Sequence, residues 1–250
     1  MIEEIFASGH SFIHKTDPRC RVVAATLLCF VIALGHTIPM LWAGLGLSVI
    51  LVLWARLNLI LVFRRLLVIW SFLLFLWAVL PFTYDGDVIW RIGKLGATQQ
   101  GIDLCTAISI KSNTILLVFI ALITTMNFST LGYVLNFFKL PRKLVHLLLL
   151  TYRYIFVIEQ EYRRLGRAAK LRSFRPGSNM HTYQTYAYLC GMLFVRASAR
   201  AQRVYNAMKC RGFAGRFTCL HEFALSPADK IWTLAIFCAT AGLIFMEINL

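Results

Sequence analysis

Two stretches of this 250-residue chain share one pattern of residues. Ala168-Ala169-Lys170-Leu171-Arg172-Ser173-Phe174 and Ala207-Met208-Lys209-Cys210-Arg211-Gly212-Phe213 both read A-x-K-x-R-[SG]-F, at an offset of 39 residues. Arg164 and Arg203 keep that offset. A guanidinium is a planar, permanently charged fork that pairs bidentately with carboxylates. The small residue beside it, Ser173 or Gly212, permits close backbone approach. Two such devices point to two similar acceptor sites, as a dimer of related subunits would offer. Arg196, Arg200 and Arg203 fall at i, i+4 and i+7, predicting one basic helix face. Phe194, Ala197, Ala201, Val204, Tyr205 and Met208 are expected on the other. The competing reading is that these arginines merely hold the segment against anionic lipid.

Other reactive groups are sparse. Lys111, with Ser112, Asn113 and Thr114, sits in an otherwise apolar run, where an ionisable group is a functional candidate by default. It could line an ion path, making the chain a self-sufficient secondary transporter or channel. It could instead bond neighbouring helices or a partner. A lone cation is a poor ligand for Co²⁺ or Ni²⁺, which favours the packing role. His10 with His14 and Cys219 with His221 are the nearest approaches to metal pairs, and both lack third and fourth ligands. There is no GxxxxGK[ST] loop to cradle ATP and no HExxH helix. Asp103 is the only acid expected within a span, so an enzyme has little support. The seven cysteines include no CxxC pair and read as reduced thiols.

These residues are carried by a chain whose natural solvent is the bilayer. Hydrophobic residues make up 59% and charged residues 15%, against about a quarter charged in soluble domains. The net charge of +15 could indicate nucleic acid, anionic lipid or an acidic protein; the apolar runs, which commit the chain to a membrane, argue against the first. No cleavable signal peptide is expected, since Glu3, Glu4 and Lys15 interrupt the N-terminal segment. Apolar runs near the length a span needs, about 17 to 25 residues, cover Arg21 to His36, Pro39 to Ala55, Leu66 to Phe82, Ile102 to Thr125 and Ile231 to Phe245. Lys15, Arg19, Arg21, Arg56, Arg64 and Arg65 fall on one side of such a five-span arrangement. So does the stretch from Phe128 to Ala228, with sixteen Lys and Arg against three Glu. That side is then cytoplasmic, with the N-terminus.

Leu144 to Ile158 and Tyr183 to Val195 are also apolar. Making both of them spans would export Arg163 to Arg175, so they are expected to be cytoplasmic or interfacial helices burying apolar faces against the membrane domain. Ser129 to Leu140 predicts a short amphipathic helix stopped by Pro141. Long helices should follow from Arg142 to Ser173, broken at Pro176-Gly177, and from Tyr183 to Arg211, ending at Gly212. The expected fold is an all-α integral membrane protein. Residues 1–127 hold spans one to four, 128–228 a module of long helices, and 229–250 span five.

Several blocks resemble the transmembrane T component of energy-coupling factor transporters, and most closely its CbiQ-like form from cobalt and nickel importers. They are Asp17-Pro18-Arg19, Lys111-Ser112, Leu140-Pro141, LLLLTYRYIFVIEQE (Leu147 to Glu161) and RAQRVYNAMKCRGF (Arg200 to Phe213). The resemblance implies a non-catalytic subunit in a bacterial inner membrane. Its implied partners are two ABC-type ATPase subunits, which bind ATP and Mg²⁺, and a CbiM-like substrate-capture membrane protein. A small accessory membrane subunit is a further one. It also implies that each Arg motif docks in a groove of one ATPase. The family usually has Ala-Arg-Ser or Ala-Arg-Gly there, whereas this chain has Leu171-Arg172-Ser173 and Cys210-Arg211-Gly212. Cys210 is nearly as small as Ala; Leu171 is bulkier. The cargo would bind another chain, so cobalt and nickel follow from the resemblance alone.

Overall fold

A computed structural model describes residues 16–84, 88–92, 95–138, 140–213 and 227–249. Among them are eight helices: α1 (Pro18–Leu34), α2 (Ile38–Trp54), α3 (Leu59–Thr83), α4 (Gln99–Leu122), α5 (Phe128–Phe137), α6 (Arg142–Leu171), α7 (Met180–Cys210) and α8 (Pro227–Asn249). A small antiparallel hairpin, β1 (Val88–Ile92) with β2 (Leu95–Thr98), joins α3 to α4 and departs from an otherwise all-α chain. His10, His14, Cys219 and His221 lie outside the described residues.

The chain is a membrane protein. Helices α3, α4 and α8 are long and apolar enough to cross a bilayer, and α2 is a shorter apolar helix. Helices α1 and α2 have 17 residues each. At about 1.5 Å per residue they fall slightly short of a roughly 30 Å hydrocarbon core. All five expected spans form helices, with shifted ends. Helix α3 begins at Leu59, taking in Arg64 and Arg65, because the Asn58 side chain accepts from Ile60 N at 3.3 Å and caps it there. Helix α8 runs to Asn249 and so contains Asp229 and Glu247. This corrects the expectation that Asp103 is the only acid within a span.

The described residues divide into two compact units, 16–134 with 227–249, and 135–213. In the first, α4 packs against α1, α2 and α3, and α8 against α1 and α2. Leu28, Ile32, Met40, Leu41, Val118 and Ala121 are among its fully buried side chains. Without hydrophobic drive in lipid, such helices associate through close packing of small residues. Gly44 accordingly faces Ile32 and Thr114, while the buried Ser48, Thr114 and Thr240 hydroxyls donate to carbonyls of their own helices.

Helix α3 exposes most of its apolar side chains, and two indoles tie it to α4. Trp70 Nε1 donates to Asn113 Oδ1 at 2.9 Å, and Trp77 Nε1 to Ser109 Oγ at 3.0 Å. Gly101 lets the two helices meet, since a Cβ there would come within 2.9 Å of Pro81 Cα.

Charged side chains finish the ends of these helices from neighbouring ones. Lys111 Nζ donates to the Ala33 carbonyl in the last turn of α1, at 3.0 Å. The Glu247 carboxylate accepts from His36 N at 2.8 Å, Thr37 N at 3.2 Å and Thr37 Oγ1 at 2.6 Å. It thereby caps the start of α2, where Thr37 makes no side-chain cap of its own. Lys111 thus bonds a neighbouring helix, and Ser112 is half-buried beside it.

Candidate functional site: two arginine-tipped helices

The 135–213 unit is built on α6 and α7, of 30 and 31 residues. They run in opposite senses, and one turn of contact shows how. Phe174, just past α6, packs edge-on against Tyr186 and His181 in the first two turns of α7. Leu147, Leu150, Tyr154 and Ile158 of α6 and Ala197, Val204 and Met208 of α7 line an apolar cavity of about 580 Å³.

Glu161 sits at the edge of this cavity, its side chain 13% exposed. It hydrogen-bonds the Arg196 guanidinium, while Arg164 and Arg200 approach to 3.9 Å each. The Arg196 hydrogen bond, followed by the charges of Arg196, Arg164 and Arg200, holds the Glu161 carboxyl below its ordinary pKa. Arg196 and Arg200 therefore line the groove together with Ala197, Ala201, Val204, Tyr205 and Met208. They do not form an opposite face with Arg203, which is exposed away from the cavity, as is Phe194. The physical reason is the facing carboxylate, which draws two arginine heads over the apolar floor while their stems cover it. Motif reading passes over Glu161. Its signal is rarity, as one of three acids among sixteen bases.

Both helix ends have the same backbone design. At the first, Arg172 N donates to Ala168 O at 3.3 Å, Ser173 N to Lys170 O at 3.0 Å and Phe174 N to Ala169 O at 3.1 Å. At the second, Arg211 N donates to Ala207 O at 3.3 Å, Gly212 N to Lys209 O at 3.0 Å and Phe213 N to Met208 O at 3.1 Å. Ser173 and Gly212 take positive φ, 63° and 71°. These are paired Schellman caps, in which a left-handed residue turns the chain and two amides satisfy the last free carbonyls. The repeated sequence thus encodes a repeated cap: the small residue supplies the turn, and Phe is its apolar lock. The Lys209 ammonium lies 4.8 Å over the Tyr205 ring.

Arg172 and Arg211 are both exposed at these tips. Leu171, beside Arg172, is 89% exposed, so its bulk is offered outward. Because Phe174 pins the first tip to the start of α7 and the second tip ends α7, that helix sets their separation. At 1.5 Å per residue this is roughly 40 Å. One groove cannot hold both guanidiniums.

Among the described residues, no three His, Cys, Asp or Glu side chains gather as metal ligands. Chemically, the unit can present two separated cations on a rigid strut, beside an apolar groove.

A profile for the family described as Cobalt transport protein, CbiQ, matches residues 9–219. The energy-coupling factor transporter transmembrane protein EcfT of Brevibacillus brevis is 25% identical over 223 residues, covering 84% of this chain and 83% of that protein. EcfT of Acidaminococcus fermentans is 25% identical over 256 residues, covering 96% and 94%. The cobalt transport protein CbiQ of Salmonella typhimurium is 29% identical over 123 residues, covering 49% and 54%. With the profile spanning both arginine tips and helices α1 to α4, this chain belongs to the CbiQ family as the transmembrane component of an energy-coupling factor transporter.

Proposed function

We propose that this chain is the non-catalytic scaffold of an ATP-driven importer in a bacterial inner membrane. It couples two ABC-type ATPase subunits, which carry ATP and Mg²⁺, to a separate substrate-capture membrane protein. The observation that carries this reading is the pair of matching caps, each presenting one exposed arginine, held roughly 40 Å apart by a single helix. Identical backbone at both tips suits two equivalent acceptors, and that separation suits one acceptor on each of two subunits. Acidic grooves would take the guanidiniums bidentately. As ATP draws the ATPases together, the grooves would carry the tips with them, and α6 and α7 would pass the movement on.

The basic 128–228 stretch supports a cytoplasmic location for this unit and for the N-terminus. The family's description and the Salmonella relative's name favour Co²⁺ or Ni²⁺ as cargo.

Affinity purification of the full chain, co-expressed with its ATPase partners, tests the reading. Arg172→Ala or Arg211→Ala should weaken ATPase association and the double variant abolish it. Lys at both positions should fail to rescue, because an ammonium cannot reproduce the fork. Undiminished association in the double alanine variant would reject the reading in favour of arginines that only meet anionic lipid, and full rescue by Lys would show that charge suffices without the bidentate fork.

A further inference from the structure

The apolar groove between α6 and α7 has one charged end. Because the two helices run in opposite senses, Glu161 of α6 meets Arg196 of α7, and Leu147 and Leu150 lie toward the far end with Met208. Along α7 the groove extends from Arg196 to Met208, roughly 18 Å at about 1.5 Å per residue. Its floor is apolar: Leu150, Tyr154, Ile158 and Val204 line it, and the Thr151 hydroxyl donates to the Leu147 carbonyl at 2.7 Å. The cavity of about 580 Å³ falls within the roughly 300–1,000 Å³ of sites that enclose a small ligand.

The charged end is not neutral. Arg164, Arg196 and Arg200 share the single carboxylate of Glu161, and three guanidiniums against one carboxylate leave an excess of two positive charges. Arg163 pairs with Glu159 at 2.6 Å and adds nothing to that excess. The side chains of Arg196 and Arg200 are 46% and 41% exposed, so their heads stay open to an anion. A cationic rim with a hydrocarbon floor beyond it has the polarity of an anionic amphiphile, head first and tail behind. Half of a roughly 30 Å hydrocarbon core is about 15 Å, the depth one acyl chain fills, and the floor is long enough to take it. An apolar helix from a partner would cover the floor and leave the two charges unanswered.

We propose that this groove binds an anionic phospholipid of the bilayer, its phosphate on Arg196 and Arg200 and one acyl chain along the floor toward Met208. A phosphate takes the guanidinium fork bidentately, and basic pockets at a membrane hold anionic headgroups in this way. A zwitterionic lipid of the same chains brings its own cation to the rim, so the excess charge selects against it. The site lies wholly within residues 135–213 and does not depend on the coupling role, since neither Arg172 nor Arg211 takes part in it.

The test places the full chain in lipid nanodiscs, alone and assembled with its transporter partners. A trace of phosphatidylglycerol carries a photoreactive diazirine in one acyl chain, and mass spectrometry locates the labelled residues. Val68 and Leu74, exposed apolar side chains of α3, serve as the internal control. In the wild type the probe should label Leu150, Tyr154 and Val204 in both preparations. A phosphatidylcholine probe with the same chains should label α3 equally and the groove about tenfold less, as loss of one charge-assisted hydrogen bond implies. Arg196→Gln combined with Arg200→Gln should lower groove labelling by phosphatidylglycerol to the same extent, with α3 unchanged. Ala201→Trp fills the floor and should abolish groove labelling with both arginines in place; it also serves if the double variant does not fold. An unlabelled groove in the wild type, equal labelling by the two probes, or undiminished labelling in either variant overturns the site. So does a groove labelled only in the chain alone, which would assign the floor to a partner protein.

Discussion

Ser173 and Gly212 occupy the same backbone position, one residue beyond the Arg of their tip, with φ of 63° and 71°. The left-handed conformation costs an L-residue roughly 1–2 kcal/mol and glycine almost nothing. The first tip therefore keeps its cap against a cost that the second does not bear. Nothing lies within 4 Å of a Cβ built on Gly212, so the backbone angle alone decides what a side chain does there.

It follows that Ser173→Gly should stabilise the end of α6 and Gly212→Ala destabilise the end of α7, each by about 1 kcal/mol. Hydrogen exchange of the amides of Ser173, Phe174, Gly212 and Phe213 in the full chain reads both. Faster exchange at the first tip in Ser173→Gly would contradict the shared cap.

Lys111 donates to the Ala33 carbonyl, whose ordinary helical partner, Thr37 N, is bonded to Glu247 instead. Lys111→Met should leave that carbonyl unsatisfied in a bilayer and cost about 1–3 kcal/mol. Thermal unfolding in detergent should show a lowered midpoint. Loss of transport at unchanged thermal stability would instead revive an ion path through Lys111.

Glu247 accepts three hydrogen bonds at the α1–α2 turn, two of them from backbone amides. Glu247→Ala should remove the only side-chain cap seen at the start of α2 among the described residues, at about 0.5–2 kcal/mol. Glu247→Gln keeps the acceptor oxygen and should retain part of the effect. Equal midpoints for wild type and Glu247→Ala in the same thermal assay would argue that the cap contributes nothing.

The Glu161 carboxyl titrates below its ordinary value because the Arg196 hydrogen bond and nearby arginines favour its charged form. A depressed folded-state pKa means its stabilisation is present above the unfolded value, about 4.3, and lost as pH falls through the folded value. The α6–α7 pairing should be constant from neutral pH to about 5 and loosen below about 4. Limited proteolysis of the full chain should show faster cleavage there in acid, and Glu161→Gln should already be fast at neutral pH. A variant as resistant as the wild type at pH 7 would remove Glu161 from the pairing.

How much was legible in advance depends on the range of the interaction concerned. The spans, the breaks at Pro141 and Pro176-Gly177 and the ends at Arg172 and Arg211 come from residues within about a turn of each other. The repeated motif is readable for the same reason, since a Schellman cap is made by six consecutive residues. The early start of α3 was missed because apolar content alone marks a span, whereas Asn58 sets the helix start. The faces of α7 were misjudged because periodicity ranks residues by polarity and cannot foresee a carboxylate on the facing helix.

The sequence by itself determined a helical membrane protein with two like arginine tips, because helix formation, capping and solvent preference are local properties of side chains. Only the tertiary structure decided that Glu161 gathers Arg164, Arg196 and Arg200, that Lys111 and Glu247 finish other helices, and that Arg21 donates to the Leu122 carbonyl at the end of α4. Leu122 lies 101 residues from Arg21, and Thr37 lies 210 residues from Glu247. At such separations a donor finds its acceptor through packing, and no spacing along the chain encodes the choice.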